Sequence, residues 1–543
     1  GAWGATRARI IGRPWCLPRS AAPHMFSLPP ASPPLAAPAA GALPAVMRRP
    51  LPWLLAWAAA HVALRLALSS ALRWDEAEQT LWSQQLAWGY GMQPPLYTWL
   101  QWGLNAVLGP SLLSLAVLKH ALLALTYLFM GLAARALLPP RAAWWAAASM
   151  VLLPPLGWSS LHDQTHTVLV TAVTAATWWV AVRLVQSPRP ARYALLGLVL
   201  ALGLLSKYNF ALVAAALGLA ALSVPATRRV LLARGLWITV VVMGLLVAPH
   251  ALWQFDHWHE TASAITDKME LQSQGGLLDG LGELALTLLE TLLLWALLAA
   301  WAFRGAWLRR PPAGAVAPTP VAPWAPPLLA RYLALVLAAF VAMVVLGGVT
   351  EFKEHWMQPV FCVLPLAAFA WRPQLESAPG GGRFTGAVLG VALLFFLATA
   401  AYPWVAGWRG RPGELNQPIR ELAQQLRAAG YDGRSPIIAA DHMLAGALRT
   451  RFPAAPASDC DGNAEPVAEC VAEELREARA AGQGWLLISR DDRLPEDWWD
   501  EAQTVLPAGT TPRVLALPWR HVPAGSAPEH YRFVWHPPGG KAP

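Results

Sequence analysis

Apolar runs of helix-spanning length recur along this chain, separated by short polar connections. A bilayer core of about 30 Å takes about 20 helical residues to cross, and broken or protein-buried helices take fewer. By that measure the runs 51–72, 111–137, 143–157, 164–185, 193–205, 208–223, 231–250, 283–303, 330–349, 355–371 and 386–404 read as helices, eleven in all. From about residue 405 the pattern changes. Apolar runs shrink to strand length at Pro436–Ala440, Trp485–Ser489 and Arg513–Pro518, with Glu414–Ala429 and Ala464–Ala481 amphipathic between them. Helices alternating with short strands predict a small α/β domain of roughly 130 residues, an ordinary domain size.

Arginines decide how the runs are threaded. Arg48/Arg49, Arg135/Arg141, Arg183/Arg189/Arg192, Arg228/Arg229/Arg234, Arg304/Arg309/Arg310 and Arg372/Arg383 fall in every second connection. Cytoplasmic connections carry the excess of Lys and Arg. Merging 193–205 with 208–223 would break the alternation after Arg192, so the two are read as separate. The other connections, 73–110, 158–163, 206–207, 251–282, 350–354 and the tail from 405, then face outside, and they hold most of the acidic residues and histidines.

Composition agrees with the pattern. Hydrophobic residues make up 56%, charged residues 13%, and the mean hydropathy is +0.38; soluble domains carry about 25% charged residues. The net charge of +9 sits in the short cytoplasmic connections, which points to membrane orientation and away from a nucleic-acid groove. Thirty Trp, many at the ends of apolar runs, fit an interfacial belt. Of the four Cys, Cys460 and Cys470 lie in the outer tail and could pair. Residues 1–46 are Ala/Pro-rich, without packing period, and are expected to be disordered or to lie upstream of a start at Met47.

The expected architecture is therefore a mostly α, polytopic membrane bundle of about eleven transmembrane helices over residues 47–404, with a small extracytoplasmic α/β domain over 405–543. The N-terminus is expected in the cytoplasm and the tail from 405 outside.

The chemistry centres on Arg73–Tyr97, which opens with Asp75, Glu76 and Glu78 directly after the first apolar run. Carboxylates at the mouth of a membrane segment are costly to hold and call for a reason. His162, Asp163, Asp256, His257, His259, Glu260, Glu351, Lys353, Glu354 and His355 lie in other outer connections, and Lys207 stands between two apolar segments. Solvated loops explain 251–282 well, but they explain Lys207 poorly. The chain lacks a Walker loop, a G-x-G-x-x-G, an H-E-x-x-H and a G-x-S-x-G, which weakens an ATP-driven pump or a soluble-type hydrolase. Carboxylates and cations at a membrane surface suit a reaction whose donor is a lipid: the carboxylate takes a proton from an acceptor and the cations receive a departing phosphate.

The order of these motifs resembles the GT-C glycosyltransferases of the protein-mannosyltransferase type, the group that includes the lipid A aminoarabinose transferases. The resemblance rests on Asp75-Glu76, on Trp82-Ser83-Gln84-Gln85-Leu86-Ala87-Trp88-Gly89-Tyr90 with Pro94-Pro95-Leu96, and on Leu204-Leu205-Ser206-Lys207-Tyr208. His162-Asp163-Gln164 and Lys353-Glu354-His355-Trp356-Met357-Gln358-Pro359 match more loosely, and the whole spans about residues 50–405. It implies a GT-C bundle that moves a sugar from a polyprenyl phosphate to a lipid, glycan or protein acceptor on the outer face, in one inverting displacement. Asp75 would be the catalytic carboxylate, with Glu76 and Asp163 shaping the site, and Asp75 and Asp163 candidates to hold a divalent metal. Lys207 and Lys353 would receive the lipid phosphate, and Tyr208, Tyr90, Gln93 and His355 would bind substrate. Gln93 stands where relatives carry His or Lys, so phosphate contacts there are altered.

A transporter or lipid flippase is the alternative of another class. It would leave the charges near the midplane and the halves related by a repeat, and neither is visible. A non-catalytic assembly protein would leave Asp75 and Lys207 unexplained.

Overall fold

The computed structural model describes residues 47, 49–91, 93–258, 276–306, 321–463, 465–490 and 498–539. The stretch 1–46, and His259 and Glu260, fall outside the described residues. Seven of the described helices are long and apolar enough to cross a membrane. They are α1 (Pro50–Leu68), and, further on, Leu112–Leu137, His166–Gln186, Leu236–Asp256, Leu277–Ala302, Ala325–Gly347 and Gly381–Trp408.

Between α1 and the next span the chain makes two helices that the sequence pattern had merged into one connection, α2 (Trp74–Trp82) and α3 (Leu96–Leu108). The span α4 (Leu112–Leu137) and the short helix α5 (Pro140–Ala148) follow, then a 3-10 turn at Ser149–Leu152 and a π turn at Pro155–Ser159. Next come α6 (His166–Gln186), α7 (Pro190–Leu204), α8 (Phe210–Ser223), α9 (Pro225–Leu231) and α10 (Leu236–Asp256). The membrane part closes with α11 (Leu277–Ala302), α12 (Ala325–Gly347), α13 (Glu354–Phe361), α14 (Leu364–Trp371) and α15 (Gly381–Trp408).

The four other apolar runs are realised as short or broken helices. The run 143–157 ends α5 and continues as the 3-10 and π turns, and 355–371 divides at Cys362–Val363 into α13 and α14. Pro154 and Pro155, and Pro359 and Pro365, remove the backbone donors that an unbroken helix would use. α7 and α8 remain separate, parted by the Ser206-Lys207-Tyr208 break. α8 and α9 meet at a bend of 116°.

Large apolar side chains stay exposed along the outer faces of α10 and α15, including Val241, Leu245, Leu252, Leu393 and Leu394. In water such a surface would drive association; against lipid tails it costs nothing. α4 and α6 form the centre, with Met130, Ala133, Val168, Val170 and Trp178 fully buried.

The tail builds α16 (Ile419–Ala428), β1 (Ile437–Ala439), α17 (His442–Arg451), β2 (Ala457–Asp459), α18 (Val467–Ala480), β3 (Trp485–Arg490), α19 (Trp498–Gln503), β4 (Arg513–Leu517) and β5 (Glu529–His536). The five strands form one mixed sheet in the order β2-β1-β3-β5-β4. β1 runs parallel to β2 and β3, and β5 antiparallel to β3 and β4. α17, β2, α19 and β5 were not anticipated from the sequence. Burial against other elements of the sheet and its helices selects them. Cys460 and Cys470 form a disulfide with Cα atoms 5.6 Å apart.

One face of this sheet shares its core with the acidic connection. Leu72, Ala77, Leu81 and Leu115 pack with Leu422, Leu426, Met443, Leu444 and Leu448 in a single buried cluster. α17 lies directly on α2: a Cβ at Gly446 would stand 2.8 Å from the Cα of Ala77, so glycine is what permits the approach.

Candidate active site

Four of the six outer connections contribute to one cavity of about 840 Å³. Asp75, Glu78 and Gln93 come from the first, His162 and Asp163 from the second, Lys207 from the third, and Lys353 and Glu354 from the fifth. Tyr208 and His355 also line it. Apolar side chains share the lining: Leu212 of α8, Phe340 and Met343 of α12 and Val360 of α13.

Asp75 stands in the first turn of α2, half-buried at the cavity wall. Its Oδ2 accepts the backbone N–H of Thr165 at 2.8 Å and the Thr165 hydroxyl at 3.2 Å. Thr165 leads into α6, and the open N–H groups of a helix start suit an anion. In return, the backbone N–H of Asp75 donates to Asp163 Oδ1 at 3.1 Å. Gln164, between the two, has φ of 142°. An L residue there costs about 1–3 kcal/mol, a strain found at functional sites, and it lets Asp163 and Thr165 both address Asp75.

The carboxyl of Asp163 is pushed up to about 7, first by burial and then by the charge of Asp75, with the Lys119 cation opposing. His162 is pushed down to about 4, by burial and by the nearby Arg73 charge, which leaves its ring neutral at neutral pH. Lys119, an overlooked cation inside the α4 run, donates from Nζ to the His162 carbonyl at 2.8 Å and is almost fully buried.

Glu76 occupies a different place from the one its motif implied. It is buried beneath α2, away from the cavity, in a two-pronged pair with Arg65 of α1: Nε to Oε1 at 2.9 Å and an Arg65 terminal nitrogen to Oε2 at 2.5 Å. It also accepts the Arg73 backbone N–H at 3.0 Å. Burial raises its pKa, but the Arg65 charge and hydrogen bonds, with Lys119 and Arg73 N–H, hold it down to about 2. Glu76 thus fastens the start of α2 to α1 and does not touch the cavity. An Arg inside the first apolar run was the available signal for this partner.

A second chain of bonds ties the acidic helix to the lysine segment. Thr98 Oγ1 donates to Gln79 Oε1 at 2.9 Å, Gln79 Nε2 meets His166 Nε2 at 3.1 Å, and His166 Nδ1 meets the Ser206 carbonyl at 3.2 Å. Beside it, Lys207 Nζ donates to Thr167 Oγ1 at 2.7 Å and faces the cavity. Tyr208 donates to Gln254 and lies 3.3 Å from His250 Nε2. Across the cavity, Glu354 accepts from Ser159 at 2.5 Å, and half-exposed Lys353 stands 3.4 Å from Glu351.

Tyr90 is set apart from the site. Its hydroxyl donates to the Gln85 carbonyl at 2.7 Å and accepts the Ala87 N–H at 2.9 Å, so it pins the turn after α2 and does not border the cavity. Asp75 and Asp163, the two carboxylates considered for a divalent metal, each already hold a backbone N–H, and among the described residues no group of three His, Cys, Asp or Glu side chains gathers. The set does not make a full metal site.

Comparison with known proteins reaches the same chemistry. The family model for dolichyl-phosphate-mannose-protein mannosyltransferases matches residues 92–253. The lipopolysaccharide core galacturonosyltransferase RgtB of Rhizobium johnstonii is 32% identical over 76% of this chain and 84% of its own length. RgtA of the same organism, also a lipopolysaccharide core galacturonosyltransferase, is 31% identical over 72% of this chain and 78% of its length. The crystal structure of ArnT from Cupriavidus metallidurans bound to undecaprenyl phosphate shares the fold, with a TM-score of 0.55 at 14% identity, over 89% of this chain and 98% of that one. None of these relatives is a transporter or flippase. The chain belongs to the GT-C glycosyltransferases, as a multi-pass membrane transferase related to these galacturonosyltransferases.

Proposed function

We propose that this transferase moves a galacturonosyl residue from a polyprenyl phosphate to a hydroxyl of a lipopolysaccharide core on the outer face of the inner membrane. The sugar and acceptor follow those named for the two Rhizobium relatives, and the lipid follows the undecaprenyl phosphate named for the ArnT structure. The observation that carries the reading is that Asp75 and Lys207 border one cavity that Leu212, Phe340, Met343 and Val360 also line.

In this reading the prenyl chain lies along Leu212, Phe340 and Met343, and Lys207 receives the phosphate as a point charge. Tyr208, Gln93, Lys353 and His355 complete the substrate contacts. The acceptor oxygen bonds the anomeric carbon while the bond from that carbon to the phosphate oxygen breaks with its electron pair. The acceptor proton passes to the Asp75 carboxylate, polyprenyl phosphate departs, and the anomeric configuration inverts. Asp163 and Thr165 hold Asp75 in place for this. The N-terminus lies in the cytoplasm and residues 405–543 form an extracytoplasmic domain, on the alternation of arginine-rich and acidic connections.

Purified protein in lipid nanodiscs, given polyprenyl-phosphate galacturonic acid and core oligosaccharide lipid, should release polyprenyl phosphate and form a glycoside of inverted configuration. Absence of release, or retained configuration, would overturn the reading. For orientation, cysteines placed at Arg229 and Glu469 should label from inside and outside the cell respectively; the reverse pattern would invert the topology.

A further inference from the structure

The side chain of Arg73 has no role in the chemistry above, and its surroundings are unusual. It is 7% exposed, yet it borders the cavity two residues from Asp75. Its Nε has no hydrogen-bond partner. Among the described residues no carboxylate lies within ion-pair distance of its guanidinium, and the neighbouring Glu76 is already occupied by Arg65. Glu76, Asp163 and Glu414 are close enough to act on its charge without pairing with it. The guanidinium carbon lies 6.0 Å from the centre of the Tyr402 ring, within cation–π range.

A guanidinium taken out of water with donors unused is costly. The same group, buried at the edge of a cavity with its Nε unpartnered, suits two parallel hydrogen bonds to a planar anion. We propose that Arg73 is the receptor for a carboxylate on the transferred sugar, and that it selects uronic acids over neutral hexoses. This rests on the donor reading given above.

Position separates the sugar carboxylate from the lipid phosphate, the other anion of such a donor. Lys207 neighbours Thr167 and the cavity wall that continues into Leu212, where a prenyl chain would run. Arg73 lies by Asp75, Asp163 and Tyr402. The anomeric carbon must come within reach of an acceptor whose proton Asp75 takes, so the pyranose ring occupies the Asp75 side and its carboxylate falls to Arg73. Without Arg73 the ring carboxylate would face Asp75 and Asp163 across the cavity.

The test compares polyprenyl-phosphate galacturonic acid with polyprenyl-phosphate galactose as donors for the full-length protein. Hydrogen bonds to charged groups contribute enough that Arg73→Gln should lower kcat/KM for the uronosyl donor by about 10- to 100-fold. The galactosyl donor should be used equally well or better by the variant, so that selectivity collapses. Arg73→Lys, which keeps the charge but not the fork, should fall between. If Arg73→Gln depresses both donors by the same factor, the residue serves the shared phosphate or the fold, and the proposal fails. A measurement on the unaltered protein guards against a misfolded variant: free galacturonic acid should inhibit at least about 10-fold better than its methyl ester, and equal inhibition would overturn the proposal. Wild-type protein that releases polyprenyl phosphate from neither donor overturns the donor reading itself, and this inference with it. Turnover with selectivity unchanged in Arg73→Gln overturns the role of Arg73 alone.

Discussion

The side-chain amide of Gln84 pairs with the backbone of Ala457 in both directions, Nε2 donating to the carbonyl at 2.7 Å and Oε1 accepting the N–H at 3.0 Å. Ala457 opens β2, an edge strand of the tail sheet, so a side chain from the turn after α2 occupies the place of a missing strand. Together with Gly446 against Ala77, this clamps the tail onto the helix that carries Asp75. Two hydrogen bonds of this kind contribute about 1–3 kcal/mol. Gln84→Ala should therefore lower the melting temperature in detergent by a few degrees. Gly446→Val should reduce turnover more than it reduces the protease resistance of the tail, since its side chain forces α17 off α2. A fully active Gly446→Val would show that the clamp is irrelevant to the site.

Asp75→Asn keeps the shape of the side chain and removes the base. Turnover should fall by about 10² to 10⁴ in a protein that still inserts and folds, measured as polyprenyl phosphate release. Glu78→Gln, one turn further along α2 and also at the cavity, should cost much less. Near-normal transfer by Asp75→Asn alongside an inactive Glu78→Gln would reverse these assignments.

Glu76→Gln leaves Arg65 buried without its counter-charge, and breaking a buried pair typically costs about 3–5 kcal/mol. Stability should fall before catalysis does, so the folded fraction should lose less turnover than Asp75→Asn. The folded pKa of Glu76, about 2, lies below its ordinary 4.5. The stability it contributes is thus present above pH 4.5 and lost as pH falls toward 2. Acid unfolding of the wild type should be steep through that window and flatter in Glu76→Gln.

Asp163 behaves in the opposite sense. Its carboxyl, raised from 3.8 to about 7 by burial and by Asp75, keeps a proton in the folded protein that the unfolded chain has lost. Its stabilising proton is fully in place below pH 3.8, and stability declines as pH rises from there through 7. Melting temperature should fall across that range in the wild type and do so less in Asp163→Asn. An ionisation near pH 7 in kcat should disappear in the same variant; if it persists, it belongs to another group.

Lys207→Ala removes a cation that lines the cavity together with Leu212, Phe340 and Met343. The KM for lipid-linked donor should rise by about 10-fold or more, in line with a lost hydrogen bond to a charged group, while the melting temperature changes little. Unchanged donor kinetics would remove Lys207 from the site.

Much of this molecule is written in local pattern. The seven long spans, the separate α7 and α8, the acidic opening at Asp75 and the lysine break at Lys207 are all visible because lipid demands long apolar runs and penalises every charge left among them. The division of 143–157 and 355–371 was visible too, in prolines that the hydropathy pattern outweighed. What tertiary structure alone decided is the allocation of charges to jobs. Asp75 and Glu76 are adjacent and chemically similar, yet helical geometry turns one toward the cavity and the other onto Arg65. Nothing local distinguishes them, because the partner that captures Glu76 sits on a different helix. Tyr90 and Arg73 exchange importance for the same reason: the tyrosine hydroxyl closes its own turn, while the arginine borders the cavity beside Tyr402 of α15, far along the chain. Residues 405–543 read as an independent unit by composition, but Leu422, Leu426 and Leu444 complete their core only with Leu72, Ala77 and Leu81. Burial of apolar area between segments hundreds of residues apart places that tail over the site, and no window of sequence contains both halves of the contact.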